Sequence, residues 1–179
     1  MLDRIIGVFK LDPATFESIE HDESATSQAG MIVLAVAVLG GLGSLAAASF
    51  MGGSGVSGGF FSSVISTFVS WVVWSFLTYF IGTRLFGGEA NMGEMLRVIG
   101  FAYAPQLLGI VPCLGGIVGL FWSLAAAFIG IRQGLDVSNG KTALTIVVGL
   151  IVYIGIAFAM SLLFGGLGGA SNPLEGFTA

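Results

Sequence analysis

The chain has 179 residues, of which 55% are hydrophobic and 9% charged, with a formal net charge of -4. About a quarter of a soluble domain's residues are charged, so this chain has too few to cover a water-facing surface. Its acidic balance (pI ≈ 4.7) argues against a nucleic-acid partner, and its single cysteine, Cys113, excludes an intrachain disulfide.

Residues Leu2 to Lys10 carry Leu2, Ile5, Ile6 and Phe9 on one helical face, with Asp3, Arg4 and Lys10 elsewhere. This pattern predicts a short amphipathic helix lying in a membrane interface. Asp12-Pro13 then reads as a new helix start, with Asp at the N-cap and Pro at the first helical position. His21 to Gln28 is a polar link, with Ser24 or Thr26 available to cap the next helix. Met1 to Gln28 holds no continuous apolar core and carries acids throughout, so a cleaved leader is not expected.

No charged residue or histidine occurs from Ser24 to Thr83, a run of 60 residues. As one helix it would be about 90 Å long against a hydrocarbon core of about 30 Å, so it must fold back. The glycine-rich stretch 51–59 is the break, giving spans over about 29–50 and 60–82. The first is rich in small residues, with Gly40/Ser44 and Gly43/Ala47 spaced for close helix contact. The second is bulky, and its mid-span Trp71 and Trp74 are expected to pack on helices of small residues. Between Thr83 and Leu96 lies a polar loop, after which Glu94 and Arg97 are spaced to pair on a helix start.

Val98 to Ile131 is a second uncharged run, of 34 residues. It would be about 51 Å as one helix, too long for a single span. Pro112 and Gly115-Gly116 break it into about 97–111 and 115–131. Two short spans are preferred to a re-entrant hairpin. Arg132 to Lys141 is a second polar loop, 142–164 the last span, and 165–179 a glycine-rich tail. The domain reading is thus an N-terminal amphipathic segment at 1–28, a five-helix membrane domain at 29–164, and the tail. With five spans all six Lys and Arg residues fall on one side, which predicts a cytoplasmic N-terminus and an external C-terminus in the cell membrane.

Three stretches carry a family resemblance: LDPATFESIEHDESATSQA at 11–29, LRVIGFAYAPQLLGIVP at 96–112 and GIRQGLDVSNGKTALTIVV at 130–148. Together they resemble prokaryotic Yip1-domain membrane proteins over most of the chain. The resemblance implies an all-α, polytopic bundle of five transmembrane helices with a cytoplasmic N-terminus. Eukaryotic relatives associate with prenylated Rab GTPases. This chain lacks their Asp-Leu-Tyr-Gly-Pro type motif, so that partner is not carried over.

Reactive chemistry is sparse. His21 stands alone in a polar link, Cys113 reads as a small apolar filler, and no phosphate-loop or metalloprotease pattern occurs. No enzyme, cofactor or metal is expected. Within 97–112, Gly100 offers a close helix contact. Pro105 frees the Phe101 carbonyl, Gln106 is the one amide in that span, and the Tyr103 hydroxyl needs a partner if buried. These four are the candidate structural or pathway residues. Arg84, Glu94, Arg97, Arg132, Asp136 and Lys141 form the candidate cytoplasmic docking face. The expected partners are the lipid bilayer and either a second copy of the chain or another membrane protein. A scaffold or interaction protein is the preferred function. A channel, transporter or lipid-translocating protein, with the bent 97–112 helix near the path, is the alternative.

Overall fold

A computed structural model describes residues 1–50, 56–111 and 114–168, and among these every regular element is helical. In chain order these are α1 (Leu2–Phe9), α2 (Pro13–Glu20), α3 (Ala25–Phe50), α4 (Val56–Phe86), α5 (Met92–Ala102), a 3-10 helix (Ala104–Ile110), α6 (Gly115–Gly134) and α7 (Asn139–Gly168). Residues 51–55 of the expected 51–59 break, the pair Pro112 and Cys113, and the tail beyond Gly168 lie outside the described residues, whereas 56–59 already belong to α4.

Among the described residues four helices are long and apolar enough to cross a membrane: Ala25–Ala46, Phe60–Phe86, Gly115–Gly134 and Asn139–Ala159. The long helices extend past the apolar windows on which the spans were drawn, because polar ends propagate a helix as readily as apolar ones. Thr142 shows how: its amide and hydroxyl both reach the Ser138 carbonyl, at 3.0 and 3.1 Å.

The segment after the first polar loop differs most from expectation. Instead of one bent helix over 97–111, α5 starts at Met92 and stops at Ala102. It starts early because Asn91 and Glu94 form a reciprocal capping box: the Asn91 side chain accepts the Glu94 amide at 3.0 Å, and Glu94 accepts the Asn91 amide at 2.7 Å. It stops because Pro105 has no amide proton to return to Phe101. The chain tightens into seven residues of 3-10 helix, where runs beyond three or four are uncommon.

Glycines hold this segment against α6. A Cβ added at Gly134 would meet the Val98 side chain at 3.1 Å, and one at Gly130 the Phe16 ring at 3.1 Å. At Gly119 it would meet the Pro105 carbonyl oxygen at 2.7 Å, and at Gly115 the Val111 Cβ at 2.8 Å. The order 134, 119, 115 against 98, 105, 111 makes the two legs antiparallel and packed along their length. Backbone can approach this closely only where side chains are absent.

The buried core is centred on α5. Val98, Ile99, Phe101 and Ala102 meet Ala29, Ile32 and Val33 of α3, Trp71 of α4, and Ala126 and Ile131 of α6. Val8, Phe16 and Ile19 of the N-terminal helices belong to the same cluster. The apolar face of α1 is therefore divided: Val8 is buried, Ile5 and Phe9 pack on the core, and Leu2 and Ile6 stay exposed. Asp12 caps α2 by accepting the Ala14 amide at 3.2 Å, as its place before Pro13 predicts. The Phe9 carbonyl accepts the Trp122 indole N–H at 2.9 Å, which ties the end of α1 to α6.

Candidate functional site

Two places gather polar groups. The first is the charged end of the bundle. Arg97 is only 6% exposed, so it does not lie on a water-facing rim. Its Nε donates to the Glu20 carbonyl at 2.9 Å, its Nη2 donates to the same oxygen, and its Nη1 donates to Thr26 Oγ1 at 3.4 Å. The expected Glu94–Arg97 pair is absent from the ion pairs of the described residues: Glu94 is engaged in the capping box. A guanidinium donating to the last carbonyl of a helix satisfies a group that the helix leaves unpaired, and it complements the negative end of the dipole.

Glu20 itself is 3% exposed, and its Oε2 has no hydrogen-bond partner. Burial pushes its carboxyl up from 4.5 to about 7, with Asp136, Glu17 and Glu94 adding repulsion and Arg97 partly offsetting it. The Gln133 amide donates to Glu17 at 3.2 Å, and Arg4 pairs with Asp22 at 2.7 Å. The Ser24 hydrogen bonds, with help from Arg4, hold the Asp22 carboxyl down at about 2.

The two polar loops also meet. The Glu89 amide donates to the Leu135 carbonyl at 3.0 Å, and the Leu135 side chain fills the space over Gly82 and Gly88. Of the six candidate docking residues, Arg84, Asp136 and Lys141 are exposed, Glu94 and Arg132 are half-buried, and Arg97 is inside. Arg132 donates to Asn139 Oδ1 at 3.2 Å and to its neighbour Gln133. Nothing in the sequence singles out Glu20. No local pattern distinguishes it from Glu17 or Glu23, because its burial depends on α5 and α6.

The second place is a cavity of about 260 Å³ among the spans. Ser70 and Trp74 of α4, Tyr153 of α7 and Ser123 of α6 face it, together with Tyr103 and Gln106. Ser70 and Tyr153 bond to one another at 3.2 Å. Ser123 is 5% exposed and its Oγ has no partner. Among the described residues the Gln106 side-chain amide and the Tyr103 hydroxyl make no hydrogen bond either, although the Gln106 backbone N–H donates to the Tyr103 carbonyl at 2.9 Å. The freed backbone oxygen near Pro105 is thus not what Gln106 bonds. Gly100 and Pro105 stay behind the cavity wall. A Cβ at Gly100 would fall 2.6 Å from Ala29 Cβ and 3.2 Å from the Trp71 ring, so α3, α4 and α5 converge there. Trp71 Nε1 donates to the Leu96 carbonyl at 3.1 Å, and Trp74 lies against Gly149. Both indoles therefore pack on glycines, as expected.

Ser70, Ser123 and Tyr153 are equally inconspicuous in the sequence. Each is an ordinary hydroxyl in an apolar helix, and only the packing brings them together. No group of three His, Cys, Asp or Glu side chains suited to a metal occurs among the described residues. The sequence profile of the Yip1 domain matches residues 6–162. No curated protein and no solved structure matches the chain.

Proposed function

The chain belongs to the Yip1 domain family of multi-pass membrane proteins, and on that premise we propose that it is a non-enzymatic scaffold, working through contacts at its charged end. The observation that carries this reading is the way that end is fixed. Arg97 ties the N-terminal helices to α5, Leu135 ties one polar loop to the other, and Arg84, Asp136 and Lys141 project from the resulting plate. A surface held by buried contacts offers a partner a preformed face and spares it the entropy of ordering loops. The long helices expose apolar side chains to lipid along most of their length.

The topology proposed with it has five crossings, an N-terminal segment at the cytoplasmic interface and an external C-terminus in the cell membrane. Support for the fifth crossing comes from the register of α5 and the 3-10 helix on α6. Eleven α-helical residues at about 1.5 Å each and seven 3-10 residues at about 2.0 Å each give a leg of about 30 Å. That equals the length of the twenty-residue α6 beside it. Support for the orientation comes from the meeting of the two Arg- and Lys-bearing loops. Either a second copy or another membrane protein would pack on the exposed apolar flanks of α4 and α7.

Cross-linked pull-downs from the native membrane test the scaffold reading. Reversing charge with Arg84→Glu and Lys141→Glu should remove a co-purifying protein while insertion stays normal. An unchanged set of partners would overturn it.

A further inference from the structure

We propose that the cavity between α4, α5, the 3-10 helix, α6 and α7 is a binding site for an uncharged lipid with a carbonyl-bearing head, taken in sideways from the bilayer. Four observations converge on this class of ligand. The first is an unmet demand for hydrogen bonds. Ser123 Oγ is buried and without a partner, and the Gln106 side-chain amide and Tyr103 hydroxyl face the same space with none among the described residues. In lipid, an unsatisfied polar group costs more than in water. Three donors around one cavity of this kind suit a molecule that brings acceptor oxygens.

The second is the absence of charge in the lining, which consists of hydroxyls, one amide, aromatic rings and aliphatic side chains. A carboxylate, phosphate or ammonium head would find no counter-ion there. The third is depth. Ser123 lies eight residues, about 12 Å, from one end of α6 and eleven residues, about 16 Å, from the other. A head held that near the middle of a bilayer must be neutral, because charge at mid-membrane is costly.

The fourth is the route in and the room for a chain. Leu120 and Leu124 of α6 and Leu150 of α7 line the cavity and are also exposed on the outside of the bundle, so its mouth opens toward lipid tails. An adjoining cavity of about 350 Å³ shares Trp74, Leu124 and Ala127 and continues past Ile131 and Ile146 with an almost wholly apolar lining. The head sits among the polar groups and the hydrocarbon runs on from it toward the charged end.

Glyceride esters and quinone rings both supply such carbonyls. The test therefore uses dioctanoylglycerol and decylubiquinone as separate probes, with dioctanoyl phosphatidic acid as the charged control. Native mass spectrometry and melting of the full chain in detergent are the readouts. One equivalent of dioctanoylglycerol or of decylubiquinone should bind and raise the melting midpoint, and whichever probe binds identifies the source of the carbonyl. Phosphatidic acid should bind at least tenfold more weakly. Gln106→Leu and Ser123→Ala, each with unchanged helicity, should each weaken binding about tenfold. The site is overturned if neither neutral probe binds, if phosphatidic acid binds as well, or if both folded variants keep wild-type affinity.

Discussion

Helices α5 and α7 invert the rule of water-soluble proteins. The candidate span in α7 has the highest mean hydropathy of the four, 2.4, yet only 17% of it is buried. Helix α5 has eleven residues including Glu94 and Arg97, yet seven of them are buried, Arg97 among them. In lipid, apolar side chains gain little by leaving solvent that is itself apolar, so hydropathy reports contact with the bilayer rather than with the core. What marks the core here is close approach at Gly100 and a guanidinium that satisfies a helix end. The contrast teaches that stability in this fold is concentrated where the sequence is least hydrophobic.

Arg97→Met should damage that concentration most. It strips two charge-assisted hydrogen bonds from the Glu20 carbonyl and removes the cation facing a buried carboxyl, a loss of about 3 kcal/mol. The measurement is melting in detergent together with protease cleavage between residues 11 and 24, which should become rapid. Gly100→Ala comes next. Its new methyl group would sit 2.6 Å from Ala29 Cβ, and forcing α3 aside should cost about 1–3 kcal/mol by overpacking. If the alanine variant melts with the wild type, α5 is not the centre of the fold.

Glu20 sharpens the comparison through pH. Its carboxyl is raised from 4.5 to about 7 by burial and by its acidic neighbours, so the folded chain holds the proton more tightly than the unfolded one. The stability this gives is fully present below pH 4.5 and is lost as pH rises through about 7. Glu20→Gln should flatten that dependence and stabilise the protein at pH 8 by on the order of 2 kcal/mol. Melting curves at pH 5 and pH 8 check it. The smallest effect belongs to α7: Ile151→Ala, on a strongly exposed position, should shift stability by less than about 0.5 kcal/mol. A large loss there would mean that α7 is covered by a partner.

The sequence made the membrane class legible, because charge is absent over whole segments. Asp12-Pro13 was legible because a cap is a local event. The glycine ridge of α6 was not. Gly115, Gly119, Gly130 and Gly134 share one buried face, but 29 glycines in the chain hide that subset. Arg97 was misjudged for a related reason. An arginine at the edge of a span ordinarily extends toward water, and its carbonyl partner lies 77 positions away. The change of helix type at Pro105 was anticipated only as a kink, since a missing amide proton permits either outcome.

The seven-residue 3-10 segment gives this leg a reach that its length alone would deny. Wound as an α-helix, the same residues would rise about 10 Å instead of about 14 Å. Ile110 would then fall about 4 Å short of the level at which α6 starts. By stretching rather than adding residues, a leg of eighteen helical positions matches the twenty of α6 and keeps Gln106 level with Gly119.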